Sequence, residues 1–483
     1  MPDPKPESLT SGTQHHHPPG FRLRRGQNWL LLGLTYASYY LCRYNLGIVA
    51  VPFKETLGFS NLQYGMIDAA RNGAYGIGQF VNGLFTDKLG GKRAMTIGAI
   101  GTAILNLLFG LTAWSNFGWL FFTLLIIRLT DGYIQAFGAP GMVKINTAWF
   151  RREERGTFAG IFGAMINLGQ MAAGKLGKLL VTGFSVPLIF FAITVPTMDW
   201  RYIFVVPPIV VIIIIILMNL GAKNHPEEAG YRIVHDDEEH DDDPHETIHL
   251  ADVFRKITSN SIVWIVAGAY FCTGFVRSAI YAWFTIYMFD VWDLKLEDPL
   301  VSGMLIFWFP IGATLGSLSS GFVSDRLFKG RRAPVATALY GLQAVFIVVG
   351  IFMSEGMFYS NAAIAVGVIL CIHIGCNATH SILGTAAAMD LGGRKMAGFA
   401  AGVIDSFQYF GAMLAGLGLG WFLDKFAITA QGATTLATGS TTQPAQVINP
   451  TIWFASMLPW GILGTCLMGY LWWTHRGKRT AGT

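Results

Sequence analysis

The chain has 483 residues, of which hydrophobic types make up 52% and charged types only 13%, and its mean hydropathy is +0.45. Soluble domains carry about 25% charged residues, so composition points away from a soluble protein and towards one immersed in lipid. The formal net charge of +5 is too modest to indicate a nucleic-acid partner. Cys42, Cys272, Cys371, Cys376 and Cys466 all fall inside apolar runs without metal-ligand spacing, so they read as packing residues. Residues 1–20 are polar, with Pro-rich and His-rich character, and do not resemble a cleavable signal peptide. His15, His16 and His17 read as part of a disordered tail rather than as metal ligands.

Apolar segments follow in order near 27–50, 62–86, 94–114, 118–147, 157–182, 202–221, 261–289, 300–324, 334–353, 360–388, 397–423 and 451–474. About 20 apolar residues in helix cross a hydrocarbon core, so the expected fold is an all-α membrane protein with twelve transmembrane helices in two pseudo-symmetric six-helix bundles. Residues 183–198 are apolar but split by two prolines, and read as an excursion at the membrane surface rather than a thirteenth span.

Basic residues set the expected orientation, because loops rich in Lys and Arg stay cytoplasmic. Arg22, Arg24 and Arg25 precede the first segment; Lys88, Lys92 and Arg93 follow the second; Arg151, Arg152 and Arg155 follow the fourth. Arg326, Lys329, Arg331 and Arg332 follow the eighth, Arg394 and Lys395 the tenth, and Arg476, Lys478 and Arg479 close the chain. Both termini are therefore expected in the cytoplasm.

The expected divisions are a disordered cytoplasmic N-terminus (1–25), a first six-helix bundle (26–221), an acidic linker (222–258), a second bundle (259–475) and a cytoplasmic tail (476–483). The linker contains HDDEEHDDDPHE, residues 235–246, which has no apolar area to bury and reads as solvated. Residues 427–449, rich in Thr, Ala, Gly and Gln, read as a flexible external loop.

The halves share punctuation. Gly83-Leu-Phe-Thr-Asp87-Lys88-Leu-Gly-Gly-Lys92-Arg93 follows the second segment, and Gly321-Phe-Val-Ser-Asp325-Arg326-Leu-Phe-Lys329-Gly-Arg331-Arg332 follows the eighth. A small residue at Gly83 or Gly321 suits close helix approach, and an aspartate at a helix end beside a basic cluster suits a gating loop. The repeated loop resembles the signature of the major facilitator superfamily, which implies a duplicated transporter fold. The expected motif residues are Gly83, Asp87, Arg93, Asp325 and Arg326.

Ionisable residues at membrane depth are costly and default to functional candidates. Arg43 lies well into the first segment and Arg277 into the seventh; 44 residues separate Arg43 from Asp87 and 48 separate Arg277 from Asp325. They therefore occupy near-equivalent positions of the two halves, facing a shared central cavity. A guanidinium is a planar fork suited to phosphate oxygens. The alternative for either arginine is a structural ion pair with Asp68, Asp131 or Asp405.

YASYYLCRYNLG (residues 36–47), the paired arginines, RREERG after the fourth segment, DWRYIF before the sixth and NHPEEAGY after it resemble the organophosphate:phosphate antiporter family. That family includes bacterial glycerol-3-phosphate and hexose-phosphate transporters, and the resemblance covers roughly residues 27–475. It implies exchange of glycerol 3-phosphate or a sugar phosphate for inorganic phosphate, with Arg43 and Arg277 gripping the phosphoryl group. Tyr36, Tyr39, Tyr40, Asn45, Gln79 and Tyr281 join them as expected binding residues. Gln79 stands where glycerol-3-phosphate carriers have a lysine, Ile166 where they have a histidine, and Ala401 and Ile404 where hexose-phosphate carriers have a charged pair.

Charges particular to this chain add to the pattern. The i,i+3 spacings Asp68–Arg71 and Arg128–Asp131 predict intrahelical pairs. His380 and Asp405 are expected to select substrate or carry a proton, and Lys175 and Lys178 to snorkel or line the mouth. No nucleophile–base set, metal-ligand spacing or phosphate-cradling glycine loop suggests an enzyme, and no cofactor is expected. The expected partners are the anionic substrate, phosphate and lipid, not nucleic acid, and a monomer in the bacterial plasma membrane is expected. A proton-coupled organic-anion symporter and a non-transporting sugar-phosphate sensor are the competing readings.

Overall fold

The computed structural model describes residues 18–150, 155–187, 192–231, 259–355, 361–426, 428–429 and 446–474. His15–His17, Arg151, Arg152, the acidic run 235–246 and the final basic cluster lie outside them, as do the side chains of Asp87, Arg394, Lys395 and Ala401.

Twelve helical spans are built among the described residues. Span 1 is Phe21–Arg43, continued beyond a break at Tyr44 by Asn45–Ile48 and Ala50–Leu57. Span 2 is Asn61–Leu89, span 3 is Gly91–Thr112, and span 4 is Leu120–Gln135 followed by Gly138–Trp149. Span 5 is Arg155–Thr182, and span 6 is Val206–Gly221 entered through a tight turn at Trp200–Phe204. Spans 7, 8 and 9 are Ser261–Trp292, Pro299–Arg326 and Arg332–Glu355. Span 10 is Ala362–Ser381 with a π turn at Ile382–Ala387, span 11 is Ala388–Lys425 and span 12 is Pro450–Thr474.

Eight of these are long and apolar enough to cross a membrane on length and composition alone. Spans 1, 2, 5 and 11 are not among the eight, and each carries ionisable side chains such as Arg43, Asp68, Lys178 and Asp405. The proline-split stretch does not cross: β1 (Phe184–Pro187) pairs antiparallel with β2 (Ala192–Val195). Strands β3 (Ile428–Thr429) and β4 (Gln446–Val447) likewise pair at the base of the Thr-rich connection.

Local chemistry sets the span ends. Ser60 and Gln63 form a reciprocal capping box at span 2. Asn260, Asp298 and Asn361 each accept a backbone N–H at the starts of spans 7, 8 and 10. Gly90, at φ 83°, makes the one-residue turn between spans 2 and 3, a conformation that a side chain would strain.

Packing repeats with an offset of six spans. Spans 1–5, 1–6, 3–6, 3–4 and 2–4 pack together, and so do 7–11, 7–12, 9–12, 9–10 and 8–10. Across the halves, span 2 packs on 11 and span 5 on 8, an arrangement that maps onto itself when the halves are exchanged. Duplication in the sequence therefore appears as a pseudo-twofold in the contacts, which places spans 1 and 7 as equivalents.

Among the described residues, close contacts between the halves lie towards the end opposite the basic loops. There Thr285 Oγ1 donates to the Gly47 carbonyl at 2.7 Å and Tyr64 Oη to that of Ala282 at 2.6 Å. The Asp424 carboxylate accepts the backbone N–H groups of Asn61 and Leu62 at 2.9 and 2.8 Å. Gly65 and Gly416 meet backbone to backbone, so that a Cβ on Gly416 would sit 2.6 Å from the Gly65 oxygen. Lys178 Nζ donates to Ser302 Oγ at 2.8 Å, joining spans 5 and 8. At the basic end, a Cβ on Gly83 or Gly321 would meet nothing within 4 Å among the described residues.

Candidate functional site

A cavity of about 620 Å³ lies between the halves, lined by Tyr40, Arg43 and Tyr44 of span 1, Asp68, Arg71 and Asn72 of span 2, Arg277, Ser278 and Tyr281 of span 7, and Gln408 and Tyr409 of span 11. The two sequence-flagged arginines thus share one cavity. The break at Tyr44 falls directly after Arg43, which ends the first stretch of span 1.

Arg43 is 8% exposed and is held by neutral groups. Its Nε donates to Gln135 Oε1 at 2.7 Å, and its Nη1 reaches the hydroxyls of Tyr409 at 3.3 Å and Tyr40 at 3.5 Å. Its guanidinium carbon lies 4.4 Å from the Tyr75 ring centre and 4.8 Å from that of Tyr40, favourable cation–π geometry. Arg277 Nη1 lies 3.3 Å from His380 Nε2, and His380 Nδ1 is 2.5 Å from the Tyr270 hydroxyl. With its carboxamide oriented to satisfy both neighbours, Gln408 accepts from Arg277 Nη1 at 3.0 Å and donates to Asp405 Oδ1 at 3.2 Å.

Neither arginine has an ion-pair partner among the described residues, so the structural-pair alternative with Asp68, Asp131 or Asp405 is not realised for them. Arg43 Nη2 and Arg277 Nε are buried and have no acceptor. A buried donor left unsatisfied costs about 1–3 kcal/mol, and more when it is charged. An anion bridging the two side chains would remove that cost at both.

Behind Arg43 lies a charged layer. Gln135 Oε1 also accepts from Arg71 Nη2 at 2.7 Å, while Arg71 Nε is 3.7 Å from Asp131 Oδ2 and Arg128 Nη1 is 3.5 Å from the same oxygen. The expected Arg128–Asp131 pair forms. The expected Asp68–Arg71 pair does not, because span 4 offers Arg71 both Gln135 and Asp131. Asp68 instead accepts from Asn72 Nδ2 at 2.8 Å and, across the halves, from Ser278 Oγ at 3.5 Å.

The other expected binding residues divide. Tyr40 and Tyr281 line the cavity, Tyr281 bonding Gln170 at 3.3 Å. Tyr36 is buried beside Tyr39 and Tyr40, with ring centres 5.8 Å away in each case, and is not part of the lining. Tyr39 turns to span 3, donating to the Met95 carbonyl at 2.5 Å. Asn45 donates to Asn106 at 2.7 Å, and Gln79 to Tyr75 at 3.1 Å. Tyr39 and Asn45 are packing residues here, since the helix turn and the break at Tyr44 carry them towards span 3. Ile166 and His373 also serve packing: His373 Nε2 lies 3.0 Å from the Phe309 carbonyl.

Of the motif residues, Asp325 accepts from Arg332 at 2.7 Å, Arg326 lies 4.7 Å over the Phe322 ring, and Arg93 is exposed. The span-6 flanks fasten the same bundle. Arg201 donates to the Ala113 carbonyl at 2.7 Å, Lys92 Nζ caps the Asn219 and Ala222 carbonyls, and Tyr231 packs on Phe21.

Residues 32–416 match the family model described as Major Facilitator Superfamily. The chain belongs to this superfamily. Similar proteins include the "Glycerol-3-phosphate transporter" of Bacillus subtilis (strain 168), 28% identical across 84% of this chain and 88% of that one. A second is the "Hexose-6-phosphate:phosphate antiporter" of Salmonella typhimurium, 26% identical across 84% of this chain and 86% of the relative. Among solved structures, the inward-facing, unoccupied bacterial homologue of the human lysosomal transporter Spinster shares the fold, with a TM-score of 0.68. It is 16% identical and covers 93% of this chain and 95% of its own. The superfamily assignment makes this an integral, multi-pass membrane protein, built as a transporter and not as an enzyme.

Proposed function

We propose that the chain exchanges a phosphorylated small organic anion, such as glycerol 3-phosphate or a sugar phosphate, for inorganic phosphate by alternating access. The observation that carries this reading is the cavity holding Arg43 and Arg277, one from each half, with no carboxylate partner for either among the described residues and a buried nitrogen on each that has none there. A phosphoryl group bridging them satisfies both donors and removes the repulsion between like charges as the halves close. Transport activity of the two relatives named above supports the same substrate class.

The proposal places the basic loops and both termini at the cytoplasmic face of a bacterial plasma membrane, so that the contacts at Asp424 and Lys178 close the outer side. The chain works as a monomer, with Asp87, Arg93, Asp325 and Arg326 at the cytoplasmic gate.

The test is exchange of labelled phosphate in proteoliposomes. Arg43→Lys and Arg277→Lys each replace a planar fork by a point charge, and each is expected to lower exchange by roughly 30-fold or more, the scale of a lost charged hydrogen-bond pair. Full exchange in either variant would exclude the proposed site. Binding of phosphate esters without any exchange would instead identify a sensor, and uptake that needs a proton gradient but no internal phosphate would identify a symporter.

A further inference from the structure

The cavity also presents a carboxylate. Asp68 lines it beside Arg71 and Asn72, is half-buried, and has no ion-pair partner among the described residues. Arg71, the natural candidate three residues on, is drawn away to Gln135 and Asp131. The donors that Asp68 does have are neutral: the Asn72 amide at 2.8 Å and the Ser278 hydroxyl at 3.5 Å, the second at the outer limit of a hydrogen bond. Ser278 adjoins Arg277 in the chain, so Asp68 reaches across the halves to the immediate neighbour of one phosphate-binding candidate.

A carboxylate accepts hydrogen bonds and donates none. It gives nothing to a phosphoryl group and repels it, so its place beside three cavity arginines needs a different ligand group. Formal charge indicates which. Among the described residues, Arg43, Arg71, Arg128 and Arg277 stand against Asp68, Asp131 and Asp405 in the cavity wall and the layer directly behind it. Four arginines against three aspartates leave one excess positive charge. A doubly ionised phosphate ester overshoots that by one negative charge, and a protonated amine on the same molecule restores the balance.

Resting on the proposed phosphate-ester function, we infer that Asp68 selects for amine-bearing substrates: phosphate monoesters whose organic part carries an ammonium group close to the phosphate. The phosphoryl group lies between Arg43 and Arg277, and the ammonium replaces Ser278 as the cross-half donor to Asp68. A neutral hydroxyl at the same place makes a hydrogen bond but leaves the charge unbalanced.

The experiment compares 2-aminoethyl phosphate with 2-hydroxyethyl phosphate, which match in length and phosphate group and differ in the ammonium. Full-length protein is reconstituted with labelled internal phosphate, and half-maximal concentrations of the two esters for driving efflux are compared within each variant. Calorimetric binding to the purified protein is measured in parallel. The wild type is expected to favour the amine by about tenfold or more, as expected for one hydrogen bond to a charged group. Asp68→Asn is expected to bring that ratio to about one, and Asp68→Glu to keep a preference. A carboxylate that merely tethers the halves through Ser278 would move both esters together and leave the ratio unchanged.

Equal potency of the two esters in the wild type, or an amine preference that survives Asp68→Asn, overturns the inference. Phosphate self-exchange separates this result from failure of the broader reading. Self-exchange without amine preference overturns the Asp68 assignment alone. Amine-selective binding without self-exchange supports Asp68 and overturns the exchange function.

Discussion

Arg43 and Arg277 occupy equivalent spans, yet their surroundings are built from different materials. Arg43 rests on a glutamine and two aromatic faces, and its main acceptor, Gln135, is shared with Arg71 and thereby with the Asp131–Arg128 layer. Arg277 rests on His380, Gln408 and the Tyr281 face, and through Gln408 on Asp405. The first arginine is fixed by a densely cross-linked wall. The second is held by an imidazole, a carboxamide and one aromatic face, with a single onward link to a carboxylate. Duplication preserved the charge at each position, whereas the supports diverged, so one wall of the cavity is cross-linked more heavily than the other.

The sharpest way to break this contrast is Gln135→Leu. It leaves Arg43 Nε and Arg71 Nη2 without their shared acceptor, at about 1–3 kcal/mol for each buried donor. The expected outcome is a marked loss of thermal stability in detergent together with loss of phosphate exchange. An unchanged melting temperature would show that Gln135 is not the keystone of that wall. Next in size is Gln408→Leu, which frees Arg277 from one acceptor and Asp405 from one donor. A rise of about tenfold in the half-saturating phosphate concentration is expected from one charged hydrogen bond, with little change in melting temperature. Equal destabilisation by the two glutamine variants would erase the difference between the walls. Smallest is Tyr409→Phe, which removes only a 3.3 Å contact to Arg43. Because the contact is long and Gln135 still holds Nε, exchange is expected to fall less than about fivefold, below the loss for a well-formed charged hydrogen bond.

The fold was legible because lipid makes simple demands. Length of apolar run gave the spans, proline placement set aside residues 183–198, and two similar loops revealed the duplication. Arg43 and Arg277 stood out because a permanent charge at membrane depth is rare. Their supports did not. Gln135, Gln408, Tyr75 and Tyr409 are neutral, and nothing in their spacing says which neighbouring span they face. Tyr39 and Asn45 were drawn into the expected site by nearness to Arg43, but the 100° advance per residue and the break at Tyr44 turn both towards span 3. Asp68 and Arg71 showed the limit of spacing rules: an i,i+3 pair is worth about 0.2–0.5 kcal/mol on a helix, and two partners from span 4 outweigh it.

The Gly65–Gly416 contact has a consequence for motion. Most helix interfaces interlock side chains as knobs in holes, so sliding them requires rotamers to hop. Here two bare backbones touch, and Gly420 similarly meets Asn61 and Leu62 of the facing helix. At these glycines the seam resists separation through many weak dispersion contacts without interlocked side chains, whereas further along the same spans Met413 and Phe410 pack against Gly73 and Gly76. The glycine contact is thus a bearing point, at which a small roll of the halves needs no side-chain repacking. A Gly416→Leu substitution would put a tooth on that bearing, and labelling of single cysteines on either side of the cavity would show the halves held apart at the far end.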